Sequence, residues 1–250
     1  MKISIITAVY NRHTTIGGAL DSLHTQTHPN IEHIIIDGGS TDGTLERLRQ
    51  TLAPNTHLVS EPDGGIYDAL NKGCARATGD IIGLLHSDDW LADPHVLADV
   101  AQAFTPGVDA VYGDLDYVSA KDPSHIVRHW QAGPYSRNRL KQGWMPPHPT
   151  LFIRRSFLSH HSPAGQPYDI SLRIAADYEA MLRWFAAGLR PAYIPRVLVK
   201  MRTGGVSNRS LARILQKSRE DLTAMRRHNI GGLPTLAAKN LSKLPQFLKR

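Results

Sequence analysis

Two adjacent carboxylates follow a short apolar run in Gly79-Asp80-Ile81-Ile82-Gly83-Leu84-Leu85-His86-Ser87-Asp88-Asp89-Trp90. Ile81 to Leu85 has the length and composition of a buried strand. His86, Ser87, Asp88 and Asp89 therefore fall where that strand leaves its sheet. In open α/β sheets ligands bind at this carboxyl end. Carboxylate oxygens grouped there suit a hard divalent cation, and such a cation suits a diphosphate. The same acids would also serve as N-terminal caps for a helix opening near Asp93-Pro94, and this stretch alone does not separate the two uses.

Other carboxylates sit at comparable positions. Asp37 ends the apolar run Ile31 to Ile36 and opens Asp37-Gly38-Gly39-Ser40-Thr41-Asp42-Gly43-Thr44. At a strand tip it can accept hydrogen bonds from a ribose or a base. The alternative is that Asp37 and Asp42 only shape the turn and cap the next helix. The turn matches neither a GxGxxG fingerprint nor a P-loop, which disfavours dinucleotide and P-loop readings. Asp63, Tyr67 and Asn71 recur every four residues and share one face of a helix from Ile66, while Ile66, Leu70 and Cys74 lie on another. Asp177 lies at the start of a helix within Ile174 to Trp184, where a carboxylate is favourable in any case.

The elements that must position these residues alternate regularly. Lys2 to Tyr10 predicts a first strand, and Thr14 or Thr15 caps a helix with Ile16, Leu20 and Leu23 inward. Ile31 to Ile36 is a second strand, followed by a helix with Leu45, Leu48 and Leu52 inward. His57 to Ser60 is a third. With the helix from Ile66 and the strand at Ile81 this makes β-α-β-α-β-α-β, which indicates an α/β fold with a mostly parallel sheet flanked by helices. Pro94 to Phe104 predicts a helix, Asp109 to Val118 a strand, His148 to Arg155 a turn plus strand, and Arg190 to Arg202 a further strand.

Composition narrows the class. The 250 residues are 41% hydrophobic, enough for one sizeable core. The single cysteine, Cys74, excludes an internal disulfide and fits a reducing compartment. No apolar run approaches the roughly 18 residues that span a bilayer, and Met1 to Thr7 reads as a strand, not a signal peptide. The expected location is the cytoplasm. The net charge of +7 is uneven: from Arg196 onward there are 13 Lys and Arg against 2 Asp and Glu. A basic tail on a mildly acidic body points to an anionic surface as partner.

Four blocks then carry a family resemblance: Thr7-Ala8-Val9-Tyr10-Asn11-Arg12, Ile36 to Thr44, Ser60 to Gly73, and Gly79 to Asp89. In this order and spacing they resemble the family 2 inverting glycosyltransferases, over roughly residues 1–205. The resemblance implies a Rossmann-like GT-A fold, a nucleotide-sugar donor and a divalent metal, Mn²⁺ or Mg²⁺. It implies that Asp88 and His86 hold the metal and that Asp177 is the catalytic base, with Asp114, Asp116 and Glu179 as the next candidates. Nucleotide-sugar contacts are expected from Thr7, Val9, Asn11, Arg12, Asp37, Asp63, Tyr67, Asn71, Lys72, His86, Ser87 and Asp89. The pattern departs from the family at three places. His86 stands where the common Asp-x-Asp motif has its first acid, and histidine can bind Mn²⁺ or a diphosphate oxygen. Asp37-Gly38 replaces an Asp-Asp tip, which predicts fewer base contacts. Ala176 replaces the acid that precedes the catalytic Asp.

Residues 119–147 interleave Trp130, Tyr135 and Trp144 with basic residues, Gly and Pro, and predict either an ordered loop stacking on sugar rings or ordinary packing. Thr203 to Ser207 is a candidate closing loop over the donor. Residues 206–250 are expected to form a basic helical extension. Leu211, Ile214, Leu215, Leu222 and Met225 form a stripe expected to pack on the catalytic domain. In the last segment Leu236, Leu241, Leu244, Phe247 and Leu248, with Lys239, Lys243, Lys249 and Arg250, suit an anionic membrane surface. This fits a glycan or lipid-linked glycan acceptor in cell-surface polysaccharide synthesis. Nucleic acid is disfavoured, because the tail has only Phe247 for stacking. Two rival functions are a sugar nucleotidyltransferase, which lacks here a glycine- and arginine-rich triphosphate loop, and an inactive donor-binding regulatory subunit, against which stand both Asp88 and Asp177.

Overall fold

The protein is described by a computed structural model over residues 1–204 and 211–241. Its first half follows the expected alternation: β1 (Ile3–Val9), α1 (Ile16–His24), β2 (Ile31–Asp37), α2 (Thr44–Thr51), β3 (Thr56–Ser60), α3 (Ile66–Arg76) and β4 (Ile81–Leu84). Then come β5 (Trp90–Leu91), α4 (Val96–Ala103), β6 (Ala110–Val118), β7 (Ile126–Trp130), α5 (Arg137–Lys141), β8 (Phe152–Arg154) and α6 (Arg155–His161). The chain continues with α7 (Ala176–Ala186), β9 (Pro191–Arg202), α8 (Leu211–Arg227) and α9 (Leu233–Leu241).

One sheet runs in the order β3-β2-β1-β4-β8-β6-β9-β5, with β7 added beside the far half of β6. Strands β3, β2, β1 and β4 are mutually parallel, and β6 and β9 are parallel to each other. Strand β8 is antiparallel to both β4 and β6, so β6 runs in the direction of β4. The sheet is thus mostly parallel and flanked by helices, as the GT-A reading expects. Central strands of such a sheet are covered on both faces and read as continuous apolar runs. Period two divides them: Ile6, Ala8, Ile34, Ile36, Ile82 and Leu84 belong to one core with α3 and α7. Ile3, Ile5, Val9, Ile35 and Ile81 belong to the other with α1 and α4.

Several expectations are corrected. Residues 119–147 are not one loop but contain β7 and α5. Trp144 packs beside Tyr112, Tyr135 and Phe185, and its Nε1 donates to the Ala132 carbonyl at 2.7 Å. Trp144 and Tyr135 thus serve packing, not sugar stacking. Leu52 and Ile66 are exposed, because helix ends turn their side chains past the sheet. Strand β5 and helix α6 were not anticipated; both are too short for a periodic signal. Along α8 only the carboxyl-terminal half packs: Met225 is buried, whereas Ile214 and Leu215 are 46% and 61% exposed. Lys239 does not face outward to lipid. It is buried, 2.8 Å from Asp221 and 3.1 Å over the Tyr178 ring, and its charge is balanced there. Gly205 to Ser207 and Lys243, Leu244, Phe247, Leu248, Lys249 and Arg250 lie outside the described residues.

A buried acid ties the parallel half together. Glu32 on β2 accepts from Lys2 Nζ (2.9 Å), Ser4 Oγ (2.5 Å), Thr78 N (2.9 Å) and Thr78 Oγ1 (2.7 Å). Burial by itself would raise its pKa, but the bonds from Ser4, Thr78 and Lys2 outweigh that and hold it at about 2. A depressed carboxylate contributes stability above its unfolded pKa and loses it as pH falls through the folded one. Glu32 ionisation is therefore worth about 3 kcal/mol near neutrality, lost from about pH 4.5 down to 2. Urea unfolding of wild type and Glu32→Gln should show a stability gap that narrows by about 2–3 kcal/mol between pH 6 and pH 2.5. A gap that does not change with pH would refute the assignment.

Candidate active site

Strand register sets Val9 beside Asp37 and Asp37 beside Ser60, so the tips of β1, β2 and β3 form one rim at the carboxyl end of the sheet. The rim is cross-tied by side chains. Asp37 is buried and accepts from Ser40 Oγ (2.5 Å), Ser60 Oγ (2.7 Å) and the Ser40 amide. Asn11 adopts a left-handed backbone (φ 52°), accepts from Thr41 N through Oδ1 at 2.9 Å and donates its own amide to Ser40 Oγ at 2.8 Å. The Arg12 amide donates to Thr44 Oγ1 at 2.8 Å, and its guanidinium reaches the Asn11 carbonyl at 3.1 Å. Thr7 lies one layer deeper, buried, 2.9 Å from His33 Nε2. Burial, and then the charge of His24, push His33 down to about 3, so that ring stays neutral. Val9 points into the second core, and its carbonyl accepts from Gly38 N at 2.9 Å.

Gly38 has a specific use. A Cβ there would meet Asp63 Oδ2 at 2.5 Å. The glycine at the β2 tip lets a carboxylate from the β3–α3 turn occupy the space of a side chain at 38. Asp63 is held by Gly65 N at 2.8 Å. Lys72 braces that turn through Glu61 (3.1 Å), Asp68 (3.3 Å) and the Pro62 carbonyl (3.2 Å). Asn71 does not face the cleft. It is buried and exchanges two bonds with the Tyr168 backbone, at 2.8 and 2.9 Å.

The reacting end is assembled from distant segments. The turn after β4 closes with Asp89 N on the His86 carbonyl at 3.0 Å, which buries Ser87 and leaves Asp88 half-buried. Among the described residues the Asp88 carboxylate has no hydrogen-bond partner. Asp177, in the first turn of α7, has Oδ1 2.8 Å from Tyr178 N and 3.1 Å from the Tyr67 hydroxyl, which also lies 2.8 Å from the Ile174 carbonyl. Burial and then the Asp177 charge push the Tyr67 phenol well above its ordinary value, which keeps it a donor. Asp88 and Asp177 lie close enough to His86 for both charges to act on it. Burial outweighs them and lowers the His86 pKa, leaving a neutral imidazole with a free lone pair.

Two groups behind this centre were not foreseen. The His148 ring lies 6.5 Å from that of His86, with Nε2 3.0 Å from the Tyr168 hydroxyl. Burial, against the pull of Asp177, lowers it to about 4. Tyr168 in turn stacks on Tyr67 at 5.8 Å. No local pattern announces them, since each acts through a partner far away in the chain.

The remaining acids are engaged elsewhere. Asp89 turns away from Asp88: Oδ1 accepts Arg202 N at 3.2 Å, and Oδ2 is buried without a partner among the described residues. Burial and the Asp88 charge raise it well above the carboxylate range. Asp114 accepts from Ala132 N and the Tyr193 hydroxyl, both at 2.8 Å, and Asp116 lies 2.6 Å from His129. Glu179 is buried 2.6 Å from His228. Each of these three is thus tied to a partner of its own, Asp114 and Asp116 through Oδ1.

A divalent cation fits what is left. Asp88 offers an unbonded carboxylate and His86 a neutral nitrogen donor. Among the described residues no group of three or more His, Cys, Asp and Glu could hold an ion. A cation held by Asp88 and His86 would have to take its remaining ligands from diphosphate oxygens and water, as Mg²⁺ and Mn²⁺ do at sites with few protein ligands.

Known proteins share both the sequence pattern and the fold. Over 242 residues the chain is 33% identical to a glycosyltransferase of Mycobacterium tuberculosis, spanning 92% of this chain and 86% of the relative. Over 202 residues it is 32% identical to a PGL/p-HBAD biosynthesis glycosyltransferase of Mycobacterium bovis, spanning 78% and 73%. The fold is shared with S. aureus TarS 1-349 in complex with UDP, with a TM-score of 0.66 at 20% identity over 100% of this chain and 71% of that one. It is also shared with the mannosyltransferase PcManGT from Pyrobaculum calidifontis in complex with GDP-Man and Mn²⁺, with a TM-score of 0.67 at 20% identity over 98% and 70%. Residues 4–161 match the profile of glycosyl transferase family 2, and the chain belongs to that family.

Proposed function

We propose that this glycosyltransferase is inverting and metal-assisted, and that it moves a sugar from a nucleoside-diphosphate sugar to a hydroxyl of a glycan or lipid-linked glycan. The observation that carries this reading is the state of Asp177. Its Oδ1 is fixed by Tyr178 N and Tyr67, while Oδ2 has no bond among the described residues, and the Asp177 charge, like that of Asp88, acts on His86. A positioned carboxylate with an oxygen free to accept suits a general base, and of the acids considered Asp177 is the one whose charge reaches His86 beside Asp88. The donor class is supported by TarS, solved with UDP-GlcNAc, and by PcManGT, solved with GDP-Man and Mn²⁺.

The residues divide the reaction as follows. Asp177 Oδ2 takes the proton of the acceptor hydroxyl. The acceptor oxygen bonds to the anomeric carbon on the face opposite the diphosphate, and the carbon–oxygen bond to the diphosphate breaks with its electron pair. A single displacement inverts that carbon. When bound at Asp88 and His86, a divalent cation supplies neutralisation of the charge on the departing diphosphate. The nucleoside would bind against the rim through Asn11, Arg12 and Asp63, with the buried Asp37 holding that rim together.

The test is a panel of UDP- and GDP-sugars with Mn²⁺ and glycan acceptors, the product linkage being read by NMR. Inversion relative to the donor is expected. A product that retains the donor's anomeric configuration would overturn the single-displacement reading.

A further inference from the structure

Helix α7 carries the base but cannot cap itself. Its N-cap is Ala175, followed by Ala176, and the N-cap residue has no side chain that could accept the amides before the helix, although Asp177 Oδ1 takes that of Tyr178. Alanine is among the poorest N-caps. The acceptor comes instead from α8. Glu220 Oε2 accepts the amides of Ile174 at 2.9 Å and Ala175 at 2.8 Å, while Oε1 accepts Gln216 Nε2 at 2.8 Å. On the other side the Tyr67 hydroxyl of α3 reaches the Ile174 carbonyl. Residue 174 is thus gripped at its N–H by α8 and at its C=O by α3, three positions before Asp177. His228, just past the end of α8, also holds the first turn of α7, 2.6 Å from Glu179, and Arg227 of α8 holds the segment before it, 2.7 Å from Asp169.

We propose that Glu220 is a positioning residue for the general base, acting as an external cap that fixes the depth and rotation of Asp177. The proposal rests on the reading of Asp177 as the base. A carboxylate on two consecutive amides at a helix N-terminus makes charge-assisted bonds and complements the helix dipole. Without it the backbone of residues 174 and 175 loses its anchor on the α8 side, leaving the Tyr67 bonds and the His228–Glu179 contact to fix the start of α7. Displacing a reacting group by about 1 Å costs on the order of 100-fold in rate. On this view α8 belongs to the catalytic apparatus and is not an appendage to it.

The experiment compares Glu220→Ala, Glu220→Gln and Asp177→Asn in the full chain, with kcat at saturating substrates and donor affinity measured separately. Glu220→Ala should lower kcat by about 10- to 100-fold, with donor affinity and binding stoichiometry within twofold. Glu220→Gln keeps an oxygen for the two amides and should restore kcat to within about threefold. Adding Glu220→Ala to Asp177→Asn should cost nothing further, because the two act through one group. If Glu220→Ala fails to fold, Glu220→Asp retains the charge on a shorter stem and should show the same split. Wild-type kcat in Glu220→Ala, or a loss that persists in the Asp177→Asn background, would overturn the proposal and leave the base intact. Undiminished turnover in Asp177→Asn would instead overturn the base and the proposal together.

Discussion

Asp177→Asn should lower turnover by about two to four orders of magnitude, the range for a lost general base, while donor affinity stays within a few-fold. The amide retains the geometry. Its oxygen can still accept from Tyr178 N and the Tyr67 hydroxyl, which hold Oδ1 at 2.8 and 3.1 Å. Its nitrogen cannot take the acceptor's proton. The other acids considered for this task are bonded elsewhere, Asp114 to Tyr193, Asp116 to His129 and Glu179 to His228. A substitute carboxylate would have to come from one of these three, and double replacement with Asp177→Asn identifies it. Steady-state kinetics at saturating donor and acceptor decide the matter, and turnover within a few-fold of wild type would place the base on another residue.

Asp88→Ala should abolish the dependence of nucleoside-diphosphate binding on Mn²⁺. The loss should be about 100-fold or more, since even outer-shell changes at metal sites cost 10- to 100-fold. Its carboxylate contributes no hydrogen bond to the described fold, so the melting temperature without ligand should hardly change. His86 alone, a single neutral donor, cannot retain the ion. Calorimetric titration of UDP or GDP with and without Mn²⁺ measures the effect. Equal metal-dependent affinity in wild type and variant would remove Asp88 from the site.

Much of this was legible in residue order because it depends on short-range physics. The βα repeat is visible because strands covered on both faces are apolar throughout, as at Ile34-Ile35-Ile36 and Ile81-Ile82, and because their helices carry a one-sided stripe. The turn after Leu85 announces itself by four polar residues behind such a strand. Asp177 was identifiable as an acid opening a helix, with the family blocks assigning its role. Where a local rule predicted a partner at a distance, it failed more often. Helical spacing grouped Asp63, Tyr67 and Asn71 on one face, yet Asp63 meets the strand rim, Tyr67 meets Asp177 and Asn71 meets Tyr168. Trp144 and Tyr135 had the composition of a sugar platform and instead pack, partly buried, against the core. Lys239 counted as surface charge and lies buried beside Asp221.

The sequence by itself determined the strands and helices of the first half, the polar tips at the sheet's carboxyl end, and Asp88 and Asp177 as the acids to examine. Periodicity, turn chemistry and motif spacing all act within a few residues, and they need no knowledge of what packs opposite. Only the tertiary structure decided which acids remain available. Asp89 is neighbour to Asp88 in the chain but turns to Arg202, and the open face of Asp177 depends on Tyr67, 110 residues before it. Its cap, Glu220, follows 43 positions later on a helix whose packing no local pattern reports. A carboxylate's chemistry is set by the donors around it, and those donors are brought together only when the whole chain is packed.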